Sequence, residues 1–158
     1  MRKILLLLVA SVASIAFLFL PKSIVVAPDP ANPVVIQQDP TNKVVAYLQS
    51  KQSPLSTEEV GLLVKQEHWK LLVALMGIES QFCRRQLGYN CFGVGGDSAY
   101  RHYNNFSEAI VDADALISRW QKRGRWLTVS DMNGHYVQPY NENWERVVNK
   151  ILNDIKDF

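Results

Sequence analysis

The run LLVALMGIESQFC, Leu71 to Cys83, is mostly apolar and carries one ionisable acid, Glu79. A helix that is apolar nearly all the way round is normally buried, so the rest of the domain has to pack around it. The flanking sequence supplies partners with helical periodicity. A helix is predicted over 41–51, with Val44, Val45 and Leu48 on one side. Ser56, with Glu59 three residues on, signals a second helix start, and that helix ends near Lys65. The apolar helix follows over 68–84. Between Gln86 and Asn105, Gly88, Gly93, Gly95 and Gly96 mark a loop or short hairpin. GVGG is not a phosphate loop, since it follows no strand and leads into no helix. Ala109, Ile110, Ala113, Leu116, Ile117 and Trp120 then predict a helix over 107–123, capped by Asn105 or Ser107. A last amphipathic helix spans 142–156, with Trp144, Val147, Val148, Ile151, Leu152 and Ile155 inward. The expected class is mainly α, with an irregular excursion beginning just after Glu79.

The first twenty residues stand apart. Arg2 and Lys3 precede seventeen uncharged residues, Ile4 to Leu20. As a helix that run is roughly 26 Å long, just short of a hydrocarbon core. A cleaved signal peptide and a retained anchor compete. Cleavage after Ala13 would leave IAFLFL on the mature protein, and Pro28 follows the site at Ala27, so the anchor is preferred. The basic end then places the remainder outside the cytoplasmic membrane, in the cell envelope. Residues 21–41 hold five of the seven prolines and read as an extended linker to a domain over 42–158.

Charge narrows the partners. The formal net charge of +2 is accounted for by Arg2 and Lys3, so the remainder balances, which argues against nucleic-acid binding. Arg119, Lys122, Arg123 and Arg125 read as a solvated helix face. Cys83 and Cys91 lie in the exported part, where a disulfide is the leading reading. A catalytic thiol or a zinc site would have to borrow the scattered His68, His102 or His135, without a supporting spacing. No metal and no cofactor is expected.

Glu79 has no basic residue one turn away. Partial burial and the negative end of the helix dipole both favour its protonated form. A carboxylic acid still protonated near neutral pH is what general acid catalysis requires. The competing reading is a solvated helix end.

GIESQF, then YNCFGVGG, then YRHYNNFSEAIVDADALI together resemble the bacterial glucosaminidase and lysozyme-like lytic transglycosylase superfamily. The resemblance covers about 55–156 and implies a lysozyme-like α+β fold that cuts the β-1,4 glycan strands of peptidoglycan. It puts Glu79 in the place of the catalytic acid, with Ser80 as its small polar partner. Asn90, Phe92 and Gly93 match a turn that lines the saccharide cleft. Tyr100, Arg101 and Tyr103 match the aromatic stretch before the next helix, and Phe106, Glu108, Ala109 and Ile110 match its start. Tyr136, Tyr140 and Trp144 match an ending that brings a tyrosine to the acid. Tyr103, Tyr136 and Tyr140 are accordingly candidate substrate contacts. Phe82, Phe106, Trp120 and Trp144 are assigned to core packing. A Cys83–Cys91 bridge would tie the cleft loop to the catalytic helix.

Glycosidases usually use two carboxylates. Between Gly93 and Phe106 the only acid is Asp97, a possible second one; Glu108 and Asp112 are expected to cap or pair on the next helix. A single Glu suits a lytic transglycosylase, which closes an anhydro ring with the substrate's own hydroxyl, slightly better than a hydrolase. A non-catalytic glycan-binding or scaffold module is the main rival; a cysteine peptidase is a distant third.

Overall fold

The computed structural model describes residues 39–96 and 99–158. The apolar run at 4–20, the Pro-rich stretch up to 38, and Asp97 with Ser98 lie outside the described residues, so the expected anchor, most of the linker and the candidate second acid fall there. Among the described residues no helix is long and apolar enough to cross a membrane.

Local signals set most of the elements. α1 (Thr41–Ser50) opens at the residue where the linker was expected to end, and buries Val44 and Leu48. α2 (Thr57–Val64) begins with the capping box read from the sequence: the Ser56 hydroxyl accepts from the Glu59 N–H, and the Glu59 carboxylate accepts from the Ser56 N–H. α3 (Trp69–Ser80) is the apolar helix, and Leu72, Val73, Ala74, Leu75 and Met76 are fully enclosed. Burial of each large aliphatic among them contributes about 1.5–3 kcal/mol relative to exposure. A minimal antiparallel hairpin follows, β1 (Gly95–Gly96) with β2 (Ala99–Tyr100), pairing Gly95 with Tyr100. α4 (Phe106–Gln121) is capped by Asn105, whose side chain accepts from the Glu108 N–H, which decides between the two expected caps. A short α5 (Val129–Met132), not anticipated from periodicity, precedes α6 (Glu142–Asp154), capped by Asn141. The molecule is thus mainly helical. α3 packs chiefly on α6, with α2 and α4 against its other sides. The α3–α6 approach is close at Gly77, where a Cβ would come within 2.4 Å of Ile151 Cδ1.

One expectation needs correction. α3 stops at Ser80 instead of running to Arg84, because Gln81, Phe82 and Cys83 take φ of 51°, 59° and 67°. Consecutive left-handed residues with side chains are costly, on the order of 1–2 kcal/mol each. Three devices hold them. The Phe82 N–H donates to the Met76 carbonyl, and the Cys83 N–H donates to the Ser80 hydroxyl. The third is the Cys83–Cys91 disulfide, which fastens the turn to the loop ahead of the hairpin. In the chain-entropy account a loop this short is worth about 2–3 kcal/mol, so Cys83→Ser/Cys91→Ser should lose roughly that in denaturant unfolding. An unfolding midpoint that does not move would refute the supporting role.

Candidate active site at the end of α3

Glu79 is the penultimate residue of α3 and is half-buried. Its two oxygens differ. Oε1 accepts a 2.8 Å hydrogen bond from the indole Nε1–H of Trp144, on the first turn of α6. Oε2 has no hydrogen-bond partner among the described residues and lies beneath Gly93, where a Cβ would come within 2.6 Å of it. Gly93 has φ +67°, so the loop passes over the carboxyl with bare backbone. Burial pushes the Glu79 pKa above the ordinary carboxylate value, and the Trp144 bond opposes this in part. The carboxyl is therefore oriented by one oxygen and free at the other, with its protonated form favoured.

Tyr136 crosses to the same place. Its hydroxyl donates to the Phe92 carbonyl, next to Gly93 in the loop. Burial first, and Glu79 second, raise the Tyr136 hydroxyl pKa well above its usual value, so it stays a neutral donor. The ring lies 6.0 Å from Trp144 and 5.3 Å from Trp126, which stacks on Trp120. A continuous aromatic series thus runs from the end of α4 to the partner of Glu79.

Three other expected contacts turn out to be occupied internally. Ser80 is buried; its hydroxyl donates to the Cys91 carbonyl at 2.7 Å and accepts from the Cys83 N–H. Asn90 is buried; its Nδ2 donates to the Val94 and Arg101 carbonyls and its Oδ1 accepts from the Val94 N–H. Phe92 is a core side chain. These residues shape the loop that covers Glu79 instead of presenting groups to a ligand. Polar groups this enclosed have to be paired within the fold, which is why their side chains face inward.

Tyr103 is partly buried, and its hydroxyl donates to Asp112 Oδ2 at 2.7 Å, the oxygen that also receives Arg101. Asp112 and Glu108 thus take the pairing roles expected of them, since Glu108 accepts from the Asn104 backbone and side chain. Tyr103 contributes to the raised pKa of Tyr136, so the two hydroxyls share a neighbourhood. Tyr140 is 57% exposed, and its hydroxyl donates to Glu145 on α6, which turns it to that helix's surface. Asp97 lies outside the described residues.

Trp144 is a core side chain, as its sequence context predicts, and it also holds the acid. A buried indole needs an acceptor for its N–H, and Glu79 is the lone acid of the helix against which α6 packs. That pairing was open to inference from the sequence once the two helices were known to touch. Asp112, placed on the helix surface, in addition orients a tyrosine of the site. Among the described residues no group of three or more His, Cys, Asp or Glu could hold a metal ion. Comparison with protein-family models, curated proteins and solved structures finds no match for the chain.

Proposed function

We propose that this domain cleaves the β-1,4 glycosidic bonds of peptidoglycan strands, with Glu79 as the single general acid and base. One observation carries the reading: a carboxyl with no basic partner among the described residues, raised in pKa, held by Trp144 at one oxygen and, among those residues, unpaired at the other under a glycine. A purely structural glutamate would gain by facing water, because burying an ionisable group costs free energy. The helix that ends at Glu79 and the loop and hairpin after it support the reading that the resemblance implies. The left-handed turn beside Glu79 is backbone strain of the kind that collects at working sites. In the cell the domain would stand in the envelope outside the cytoplasmic membrane, tethered through the segment at 1–20.

The proposed reaction needs no second carboxylate. Glu79 Oε2 gives its proton to the bridging oxygen as the bond to the anomeric carbon breaks. The resulting carboxylate then accepts the proton of the sugar's own primary hydroxyl, whose oxygen closes an anhydro ring on that carbon. Glu79 is re-protonated, and no water is consumed. Tyr136, neutral and bonded through its hydroxyl to the Phe92 carbonyl of the loop, would offer the sugar its ring and the remaining acceptor capacity of that oxygen. Mass spectrometry of products from purified peptidoglycan tests this. Anhydro ends are expected, reducing ends would replace the ring closure by hydrolysis, and intact strands would remove the enzymatic reading.

The protonation state gives a signed prediction. Cleavage needs protonated Glu79, so the rate should fall as pH rises through a pKa above the ordinary carboxylate range. The Trp144 N–H stabilises the carboxylate, so Trp144→Phe should raise that pKa and move the alkaline limb to higher pH, even as the maximal rate drops. A pH–rate profile of kcat/KM reads the limb directly. A limb that stays in place would mean that another group supplies the proton.

A further inference from the structure

Arg119, Lys122, Arg123 and Arg125 place four cations within seven residues at the end of α4, all exposed. Arg119, in the last turn of α4, lies one turn from Lys122 at the helix end, a spacing at which like charges repel. The ion pairs among the described residues are His68–Asp114, Arg101–Asp112 and Lys150–Asp154, so none relieves this cluster. The structure gathers it further. The Arg123 and Arg125 guanidinium carbons each lie 5.4 Å from the centroid of Trp120. Trp126 stacks on the same ring at 5.1 Å. Two guanidinium groups held against one ring offer planar sets of donors to a tetrahedral oxyanion.

Arg125 also borders a hollow of about 430 Å³, a size within the range of small-molecule sites. Trp126, Leu127, Ser130, Asp131 and His135 complete most of its wall. Asp131 Oδ2 accepts from the Thr128 N–H of the α5 cap, and Oδ1 has no hydrogen-bond partner among the described residues. Trp126 is 6% exposed, and its enclosed Nε1–H has no acceptor among the described residues. A bare phosphate would use the arginines and leave this wall unmatched. A hydroxylated skeleton would use it: Asp131 accepts from hydroxyls, Ser130 and His135 donate or accept, and the indole and Leu127 meet the carbon–hydrogen faces.

We propose that this corner binds a sugar phosphate unit, its phosphate between Arg123 and Arg125 and its sugar in the hollow toward Ser130 and His135. The inference is independent of Glu79. The unit belongs to a free metabolite or to a phosphodiester-linked polymer, and the two sources share this chemistry.

The test uses the full-length chain, ¹⁵N-labelled, in a non-ionic detergent, and follows its four indole N–H signals. N-acetylglucosamine 6-phosphate should shift the Trp120 and Trp126 signals saturably, and leave Trp69 in place. Unphosphorylated N-acetylglucosamine should not. Arg123→Gln and Arg125→Gln should each weaken binding by about tenfold, as expected for loss of a charge-assisted hydrogen bond. An unchanged Trp144 signal certifies that a variant is folded. Arg123→Lys/Arg125→Lys, which keeps the charge but not the planar fork, should recover only part of the loss. Glu79→Gln should bind the phosphosugar as the wild type does. Tighter binding of a glycerol phosphate polymer than of the monomer would assign the polymeric source, and equal binding the free one. Inorganic phosphate binding as tightly as the phosphosugar would overturn the proposal. So would unchanged binding by the glutamine variants, or shifts that appear only with anionic lipid vesicles.

Discussion

Glu79→Gln is expected to abolish strand cleavage while leaving the fold intact. Loss of a general acid costs on the order of 10³-fold, or about 4 kcal/mol of transition-state stabilisation. The substitution removes the proton donor and keeps nearly the same volume, and the amide oxygen can still accept the Trp144 N–H. Stability supplies an internal check with a definite sign. Because the folded-state pKa of Glu79 is raised, its contribution is fully present below the unfolded pKa and is lost as pH rises through the folded value. The variant does not titrate there. It should match the wild type at low pH and exceed it at high pH. Products from purified peptidoglycan and thermal unfolding at two pH values measure both effects. A variant that digests strands at the wild-type rate would sink the assignment of the acid.

Gly93→Ala should be nearly as damaging by a different route. The added methyl carbon would come within 2.6 Å of Glu79 Oε2 and 3.0 Å of its Cδ, so either the loop or the carboxyl has to move. At φ +67° the alanine also carries backbone strain of about 1 kcal/mol. Displacement of a reacting group by about 1 Å is enough for a hundredfold loss of rate, so activity should fall at least that far. Gly134→Ala separates the causes. There φ is +87°, but the nearest side-chain atom to the new methyl is 3.9 Å away, an ordinary contact. That variant should lose stability and keep its rate. Equal losses of rate in both would show that backbone strain, and not the approach to Glu79, sets the effect.

The helices were legible because their causes are local. Apolar spacing, the Ser56–Glu59 capping box and the Asn105 cap act over three or four residues, and the described elements follow them. The end of α3 was not legible. Glycine or asparagine usually announces a left-handed residue, and Gln81, Phe82 and Cys83 offer neither. Their conformation depends on Ser80, Met76 and the disulfide, which act together only once the loop has folded back. The short α5 escaped for a related reason, since four residues are too few to show a helical period.

For the site, sequence by itself determined that an isolated acid ends an apolar helix, and that two cysteines stand close by in a segment expected to be exported. That much follows from residue type and order. Tertiary structure decided what the acid touches. Trp144 reaches Glu79 from 65 residues away, and Tyr136 reaches Phe92 from 44. It also decided which of the expected contact residues have their polar groups taken up inside the fold. Ser80 and Asn90 look like substrate groups as letters, yet each is buried, and a buried polar group must be paired within the fold. The sequence lists which side chains can form hydrogen bonds; only packing determines which of them are already used.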